Sequence, residues 1–301
     1  MSKKKVLVTG GAGYVGSLLV PYLIEKGFSV TVLDWYLYKK DVFKDIRSSL
    51  LTEIVGDLRN VDDVNKSLID VNYVIHLACI SNDPSAELNS KLSIDVNQNG
   101  FKTLLDCCVD RKVEKFIFAS SSSVYGISES PKVTESHPRI PVSLYNITKA
   151  WCEDLLINEY KEFPYVIVRP ATICGYSKRL RLDLSVNLLT SHGIKRKKIN
   201  VFGGDQYRPN LNIKDMINFY YFLLTEEYEK FNHEIFNISY KNYKIMEIAE
   251  IIKDQLKSKV GNIEINVTKS NDPRSYRVNC EKLESVGFKC RFGIEDAVDE
   301  L

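Results

Sequence analysis

The sequence predicts an α/β chain: a doubly wound parallel sheet followed by a smaller mixed α/β domain. Three observations carry this. Apolar stretches of strand length alternate with stretches of helix length from Val6 to Pro170. The first strand runs straight into spaced glycines, Val6-Leu7-Val8-Thr9-Gly10-Gly11-Ala12-Gly13-Tyr14-Val15-Gly16, and then into the helical run Ser17–Ile24. The second strand, Ser29–Asp34, closes on an acid 18 residues after Gly16. Strands alternating with helices pair in parallel, and their ligands sit at the carboxyl ends of the strands.

The glycine stretch is the most informative. Gly10, Gly13 and Gly16 allow a tight turn, a close approach of backbone to a pyrophosphate, and close packing of helix on strand. The helix start, reached through Tyr14 and Val15, offers free N–H groups and a positive dipole end to phosphates. The context of strand, glycine turn and helix reads as a dinucleotide site. Asp34 is placed to bond the adenosine ribose hydroxyls, and its charge repels a 2′-phosphate, so the expected cofactor is NAD rather than NADP.

The remaining elements follow in order. Glu53–Val55 is a third strand, and Asp57 just beyond it can accept from the adenine amine. Asn72–Ala78 is a fourth strand, whose small terminal Ala78 lets a cofactor lie on the backbone. His76 within it reads as a packed strand residue. A long helix is predicted over Asp95–Arg111, with Val96, Leu104, Leu105 and Val109 as apolar positions. Lys115–Ala119 is a fifth strand ending on the hydroxyl-rich Ser120-Ser121-Ser122-Ser123. Pro131, Pro138 and Pro141 mark a loop, Ser143–Glu162 a second long helix, and Tyr165–Pro170 a sixth strand. Beyond Pro170 the rhythm changes. Helices are predicted at Leu182–Ser191, Lys214–Glu226, Lys244–Lys257 and Glu281–Val286, and strands at Ile199–Phe202, Glu234–Ile238 and Ile263–Val267. The expected division is a sheet domain over 1–170 and a smaller domain over 171–301, with interleaving allowed and a cleft between them as the ligand position.

Composition narrows the classes. At 301 residues the chain can bury a sizeable core. With 41 basic and 39 acidic residues the net charge is +2, which gives no global field for nucleic acid. The basic runs Lys3-Lys4-Lys5 and Lys195–Lys198 read as solvated segments. No apolar run is long enough to span a membrane, and the N-terminal strand is interrupted by glycines too early for a signal peptide. A cytoplasmic protein is expected. Seven cysteines without metal-type spacing read as free thiols, and four scattered histidines give no metal site.

One further pattern carries chemistry. Tyr145 and Lys149 stand four apart on the predicted helix and so share a face. A free tyrosine titrates near 10, and a neighbouring cation lowers that value by stabilising the phenolate. Such a tyrosine can take a proton from an alcohol while hydride leaves the same carbon.

These motifs together resemble the extended short-chain dehydrogenase/reductases of the NAD-dependent epimerase/dehydratase family, which have a Rossmann-type sheet. Thr9–Gly16, Gly56-Asp57-Leu58, His76-Leu77-Ala78, Asn97-x-x-Gly100, Ser121–Gly126, Tyr145-x-x-x-Lys149 and Arg169-Pro170 fall in family order. The likeness extends over nearly the whole chain. It implies action on a nucleotide diphosphate sugar in bacterial surface-polysaccharide biosynthesis. It adds Leu58, Leu77 and Asn97 to the cofactor site. It makes Ser121 the hydroxyl that polarises the substrate oxygen, Tyr145 the base, and Lys149 the group that tunes Tyr145 and holds the nicotinamide ribose. Ser122, Ser123, Thr172, Asn187, Arg208 and Arg274 are expected to meet the substrate; Val201–Arg208 and Asp272-Pro273-Arg274 resemble the segments whose arginines meet the diphosphate. The resemblance also implies a homodimer paired through the helices at Asp95–Arg111 and Ser143–Glu162.

Two departures bear on the reaction. In the family's 4,6-dehydratases an Asp-Glu pair follows the catalytic hydroxyl; here Ser122-Ser123 stand there, which argues against water elimination. After the sixth strand the chain reads Ala171-Thr172 where UDP-galactose 4-epimerases have an aromatic-Asn pair. The stretch Arg179–Leu184 resembles a bacterial subgroup containing a GDP-heptose C4 dehydrogenase. The expectation is therefore oxidation at C4, as a 4-epimerase or a C4 dehydrogenase, with a 4-keto-sugar reductase as alternative and a dehydratase or a non-catalytic NAD binder behind.

Overall fold

The computed structural model describes residues 4–269 and 274–301. Lys3 of the first basic run, and Asp272 and Pro273 of the second arginine segment, lie outside the described residues. Six strands, β1 (Lys5–Thr9), β2 (Ser29–Asp34), β3 (Leu51–Val55), β4 (Tyr73–His76), β5 (Lys115–Ala119) and β6 (Tyr165–Pro170), form the parallel sheet that the alternation predicts. Two short strands follow, β7 (Thr172–Cys174) and β8 (Lys198–Phe202), then β9 (Tyr207–Asn212), β10 (Glu234–Ile238), β11 (Lys241–Lys244) and β12 (Glu264–Thr268). The seven-stranded sheet runs β10-β6-β5-β4-β1-β2-β3. Every pairing in it is parallel, with Val6 opposite Val30 on one side and Tyr73 on the other.

Helices cover both faces, so the central strands are apolar without alternation. Val6, Leu7 and Val8 are all fully buried. Val6 and Val8 pack under α1 (Gly16–Glu25) with Leu19 and Leu23. Leu7 faces the other way, toward α2 (Val61–Ser67) and the helix that brings Leu104 and Leu105. That helix begins earlier than predicted. After α3 (Asp83–Leu88), Asn89 accepts from Leu92 N at 3.0 Å and caps α4 (Ser90–Ile94), which passes through a π-turn at Asp95–Asn99 into α5 (Gly100–Asp110). The second long helix, α6 (Leu144–Glu159), carries Leu155 and Leu156 into the same layer.

The chain after Pro170 builds two small sheets. β9 is the middle strand of β11-β9-β7, and β12 pairs with β8. Around them pack α7 (Ser185–Arg196), α9 (Ile245–Val260) and α11 (Ile294–Glu300), burying Val186, Leu189, Ile248, Ile252 and Val298. Between these, α8 (Ile213–Thr225) and β10 return to the large sheet: Phe219 and Leu223 join the core of Val6 and Val8, and Phe236 pairs with Val168. A short α10 (Glu281–Ser285) adds Leu283 to that core. Strand β9 escapes a sequence reading because Tyr207-Arg208-Pro209-Asn210-Leu211-Asn212 contains a proline and two asparagines. Both asparagines are buried, Asn210 donating to Arg208 O at 2.9 Å and Asn212 accepting from Lys214 N at 2.9 Å at the head of α8. All seven cysteines are free. Among the described residues no helix is long and apolar enough to cross a membrane.

His76 is 3% exposed, hydrogen-bonded to Thr9 Oγ1 at 2.7 Å and set among the rings of Phe101, Phe116 and Phe118. Burial first, then the charge of Lys149, holds its pKa well below 6.5. In the unfolded chain it titrates at about 6.5. Between those values the unfolded state holds the extra proton, so stability falls as pH drops below about 6.5, by up to about 1.4 kcal/mol per unit. Urea midpoints measured from pH 7.5 to 5 should decline less steeply for His76→Gln than for the natural chain.

Candidate functional site

A groove of about 580 Å³ runs along the carboxyl ends of the large sheet. Its first wall is the glycine turn. Gly10 has φ +71°, and a Cβ there would lie 2.6 Å from Ala78 N, so the ends of β1 and β4 approach closely only with glycine. A Cβ on Gly16 would run into the backbone of Gly11, which is why α1 can start directly against the turn. The turn is fixed from outside by Tyr14, whose hydroxyl donates to Gly175 O at 2.6 Å and accepts from Asn187 Nδ2 at 3.1 Å.

Asp34 closes the next position. Its two carboxylate oxygens accept from Ala12 N at 3.0 Å and Tyr36 N at 2.8 Å. Burial nevertheless raises its pKa above the ordinary carboxylate value, so further hydroxyl donors would stabilise the anion. A backbone cradle that tolerates no side chain, a helix N-terminus behind it and an under-satisfied carboxylate at the next strand end fit the diphosphate and ribose of a dinucleotide. Asp57 also lines the groove, in an ion pair with Arg59 at 2.6 Å.

The far wall carries hydroxyls. Ser121 accepts from Ser123 N at 3.2 Å and so caps the short turn Ser122–Tyr125. Its Oγ lies 2.7 Å from Ser123 Oγ, which donates to Asn146 Oδ1 at 2.5 Å. Helix α6 starts at Ser143, which accepts from Asn146 N at 3.3 Å and donates to Asp83 Oδ1 at 2.5 Å. One turn on, Lys149 Nζ donates to Ala119 O at 2.6 Å and sits 5.9 Å from the centre of the Tyr145 ring. Burial holds the Tyr145 phenol above its ordinary value, and the Lys149 ammonium works against that rise without cancelling it. Burial alone would lower Lys149; Cys79 and Tyr145 outweigh it and hold its pKa above the ordinary value.

A buried network sets these elements. Arg169 on β6 donates to Glu153 on α6, Nε to Oε1 at 2.9 Å and Nη2 to Oε2 at 2.6 Å. Ser120 donates to the same carboxylate at 2.5 Å, and Arg169 Nη1 donates to Tyr125 OH at 2.7 Å, which donates to Asn237 of β10 at 2.7 Å.

A strap from the second half, residues 178–183, lies over the groove. Lys178 pairs with Asp45 at 3.0 Å, the Arg179 guanidinium sits 3.9 Å over the Tyr38 ring, and Arg181 Nη1 donates to Ser81 Oγ at 3.2 Å. Asn82 donates to Asp183.

The structure brings Gly10, Gly13, Tyr14, Val15, Gly16, Asp34, Asp57, Leu58, Leu77, Ala78, Ser121, Ser122, Ser123, Tyr145, Lys149, Thr172 and Arg274 to this one groove. Three expected residues do not line it. Asn97 is buried behind it, its amide bracketing Ile80 N at 2.8 Å and Ile80 O at 3.1 Å. Asn187 is fully buried and spends its amide on Gly175 N at 3.0 Å, Arg181 O at 2.9 Å and Tyr14. It holds the glycine turn to the second half and does not face the groove. Arg208 donates to Tyr207 O at 3.0 Å and to Arg274 O, behind the lining. Arg274, which does line the groove, pairs with Asp83. Asn146, Arg179 and Arg181 line the groove without having been singled out as binding residues. The signal for the two arginines was the i, i+2 alternation in Arg179-Leu180-Arg181-Leu182, which in an extended segment puts both on one side. Among the described residues no cluster of His, Cys, Asp and Glu could hold a metal.

The geometry defines a dinucleotide groove with a hydroxyl and tyrosine wall. Residues 6–239 match the sequence model described as the NAD dependent epimerase/dehydratase family, and the chain belongs to that family. It is an NAD-dependent enzyme of the extended short-chain dehydrogenase/reductase type. Curated relatives include the low-salt glycan biosynthesis protein Agl12 of Haloferax volcanii, 26% identical over 98% of this chain and 96% of its own length. A UDP-glucose 4-epimerase of Lactobacillus helveticus is 28% identical over 95% of this chain and 92% of its own length. Among solved structures, the UDP-glucuronic acid 4-epimerase of Bacillus cereus is 27% identical, with a TM-score of 0.87 over 98% of this chain and 97% of that one.

Replacing Glu153 by Gln would leave the Arg169 guanidinium, 3% exposed, facing a neutral amide. Removing one partner of a buried pair costs about 3–5 kcal/mol. Urea unfolding of Glu153→Gln should show a loss of this size; an unchanged midpoint would mean that the network does not hold the hydroxyl wall in place.

Proposed function

We propose that this protein oxidises C4 of a nucleotide-activated sugar and returns the hydride to it, as a 4-epimerase. The observation that carries the reading is the convergence of Ser121, Tyr145 and Lys149 on the same groove as the glycine turn and Asp34. Bound NAD would accept and return the hydride. Lys149, held by Ala119 O, lessens the cost of ionising Tyr145, whose phenolate form would take the proton of the sugar hydroxyl. Ser121 would turn its hydroxyl hydrogen from Ser123 Oγ to the same sugar oxygen, while the Ser123 N–H that it accepts keeps its Oγ in place. Gly10, Gly13 and Gly16 would cradle the cofactor diphosphate, and Asp34 its ribose. Ser122, Ser123, Thr172 and Arg274 face the sugar nucleotide, while Arg208 would act from behind by holding Arg274 O. The epimerases among the relatives support a nucleotide-sugar substrate, and the glycan biosynthesis protein Agl12 supports a part in glycan or polysaccharide assembly.

The stretch Arg179–Leu184 favours a second reading, a C4 dehydrogenase that releases the ketone; run backwards, it is a 4-keto-sugar reductase. Purified protein incubated with NAD and a panel of UDP-, GDP- and dTDP-sugars should convert one of them without net NADH absorbance. Accumulating NADH would establish the dehydrogenase instead. Tyr145→Phe should lose at least ~100-fold in rate; full activity would remove Tyr145 from the mechanism.

We further propose a homodimer through the α4–α5 helix and α6. Its support is the exposure of Ile94, Val109 and Ile147, three large apolar side chains on those helices. Light scattering should give about twice 34.5 kDa, and Ile147→Glu should halve it.

A further inference from the structure

Arg179 stands out among the charged groups around the groove. It belongs to the second half of the chain, yet it reaches the adenosine end of the cofactor site. Its backbone N donates to Ser17 Oγ at 3.4 Å, which places the strap over the first turn of α1. Its guanidinium lies 3.9 Å from the centre of the Tyr38 ring, on the side of the groove where Asp34 ends β2. Asp34 is close enough to act on it electrostatically.

Its neighbour on the strap provides the contrast. Arg181 is answered by Asp183, Nη2 to Oδ2 at 2.5 Å and Nε to Oδ1 at 3.1 Å, and by Ser81. Arg179 is half-buried, and among the described residues its side chain has no hydrogen-bond acceptor. Of the two carboxylates near enough to act on it, Asp183 is taken up by Arg181, and Asp34 already accepts two backbone N–H bonds. A guanidinium has five donors in a planar fork suited to phosphate oxygens, and stacking on an aromatic face leaves those donors open to a ligand. Burial first, then the charge of Arg181, lowers its pKa from the ordinary arginine value, the direction expected of a cation that lacks an anion.

We propose that Arg179 is a cofactor-binding residue: the second half of the chain supplies, through the strap at 178–183, the cation that meets the diphosphate of the dinucleotide opposite the glycine turn. The glycine turn offers only backbone N–H groups and a partial helix charge to that diphosphate, and Arg179 adds a full charge. The rest of the strap aims it. Lys178 is tied to Asp45, and Asp183 to Asn82, so both ends rest on the first half while Arg179 hangs between them. The inference rests on the dinucleotide groove and not on which sugar is turned over.

The test uses the full-length chain, treated with charcoal to remove resident nucleotide, and calorimetric titration with ADP and with adenosine. Arg179→Gln should weaken ADP at least tenfold and adenosine less than twofold, with the melting temperature unchanged. Arg179→Lys should recover part of the ADP affinity, because it keeps the charge and loses the fork. Raising salt should weaken ADP binding less in Arg179→Gln than in the natural chain. An equal loss for ADP and adenosine would assign Arg179 to the adenine or ribose and overturn the proposal, as would unchanged ADP affinity. No sugar is present in these titrations. Loss of ADP affinity without turnover of any sugar nucleotide would therefore sink the epimerase reading alone.

Discussion

The ion pair between Arg169 and Glu153 is the joint on which the reactive end of the groove depends. It connects the last consecutive strand of the sheet to the helix that carries Tyr145 and Lys149. Through Ser120 it reaches the end of β5, where Ser121 begins, and through Tyr125 and Asn237 it reaches β10. A buried pair of this kind gives little net stability compared with a well-packed apolar alternative, because both ions lose their hydration. Its value is directional. Fork-to-carboxylate bonds allow few geometries, so α6 is held in one arrangement against the ends of β5, β6 and β10, which the sheet already pairs. Apolar side chains in the same place would pack but would not select it.

The division of labour across the groove follows from the chemistry of each wall. The glycine side presents backbone, which is cheap to bring close to a ligand once side chains are absent. The hydroxyl side presents short chains of polar groups, Ser121 to Ser123 to Asn146, each of which fixes the next. Between them, the closure of the groove comes from the part of the chain that is last to be read as belonging to it. The second half also completes the sheet itself, since β10 is its seventh strand and α8 covers one of its faces. The cleft is thus not a seam between two separately folded bodies. Its walls share a core.

Much of this was legible in the residues. Five of the six strands up to Pro170 are apolar runs of strand length, whose burial on both faces leaves little room for any other reading; β3, at the sheet edge, is largely exposed and carries Thr52 and Glu53. Tyr145 and Lys149 could be placed on one face from spacing alone. What escaped were features that depend on distant partners. Strand β9 carries Pro209, Asn210 and Asn212, and its asparagines are tolerable only because Arg208 O and Lys214 N are waiting for them. Asn187 was expected at the substrate only through the family resemblance, which says nothing of its neighbours in this chain. Its partners turned out to be Gly175, Arg181 and Tyr14. Helix α7 starts three residues later than its apolar pattern indicates, because Leu182–Leu184 are drawn into the strap. Spacing identifies which groups can meet on one element; it does not identify what reaches them from another.

The π-turn at Asp95–Asn99 has a consequence of its own. A π-turn holds one residue more than an α-turn, so the helix on either side of it is out of phase by roughly 100°. Before the turn, Ser93 Oγ donates to Ala86 O at 2.9 Å, stitching the helix to its neighbour α3. After it, Leu104, Leu105 and Cys108 press on the sheet. Within it, Asn97 braces Ile80 with its side chain, and its carbonyl oxygen accepts from Cys152 Sγ at 3.2 Å on α6. A helix of even pitch offers a single stripe and can serve one of these surfaces well. The extra residue acts as a change of gear, letting one continuous rod present different faces to three neighbours in succession.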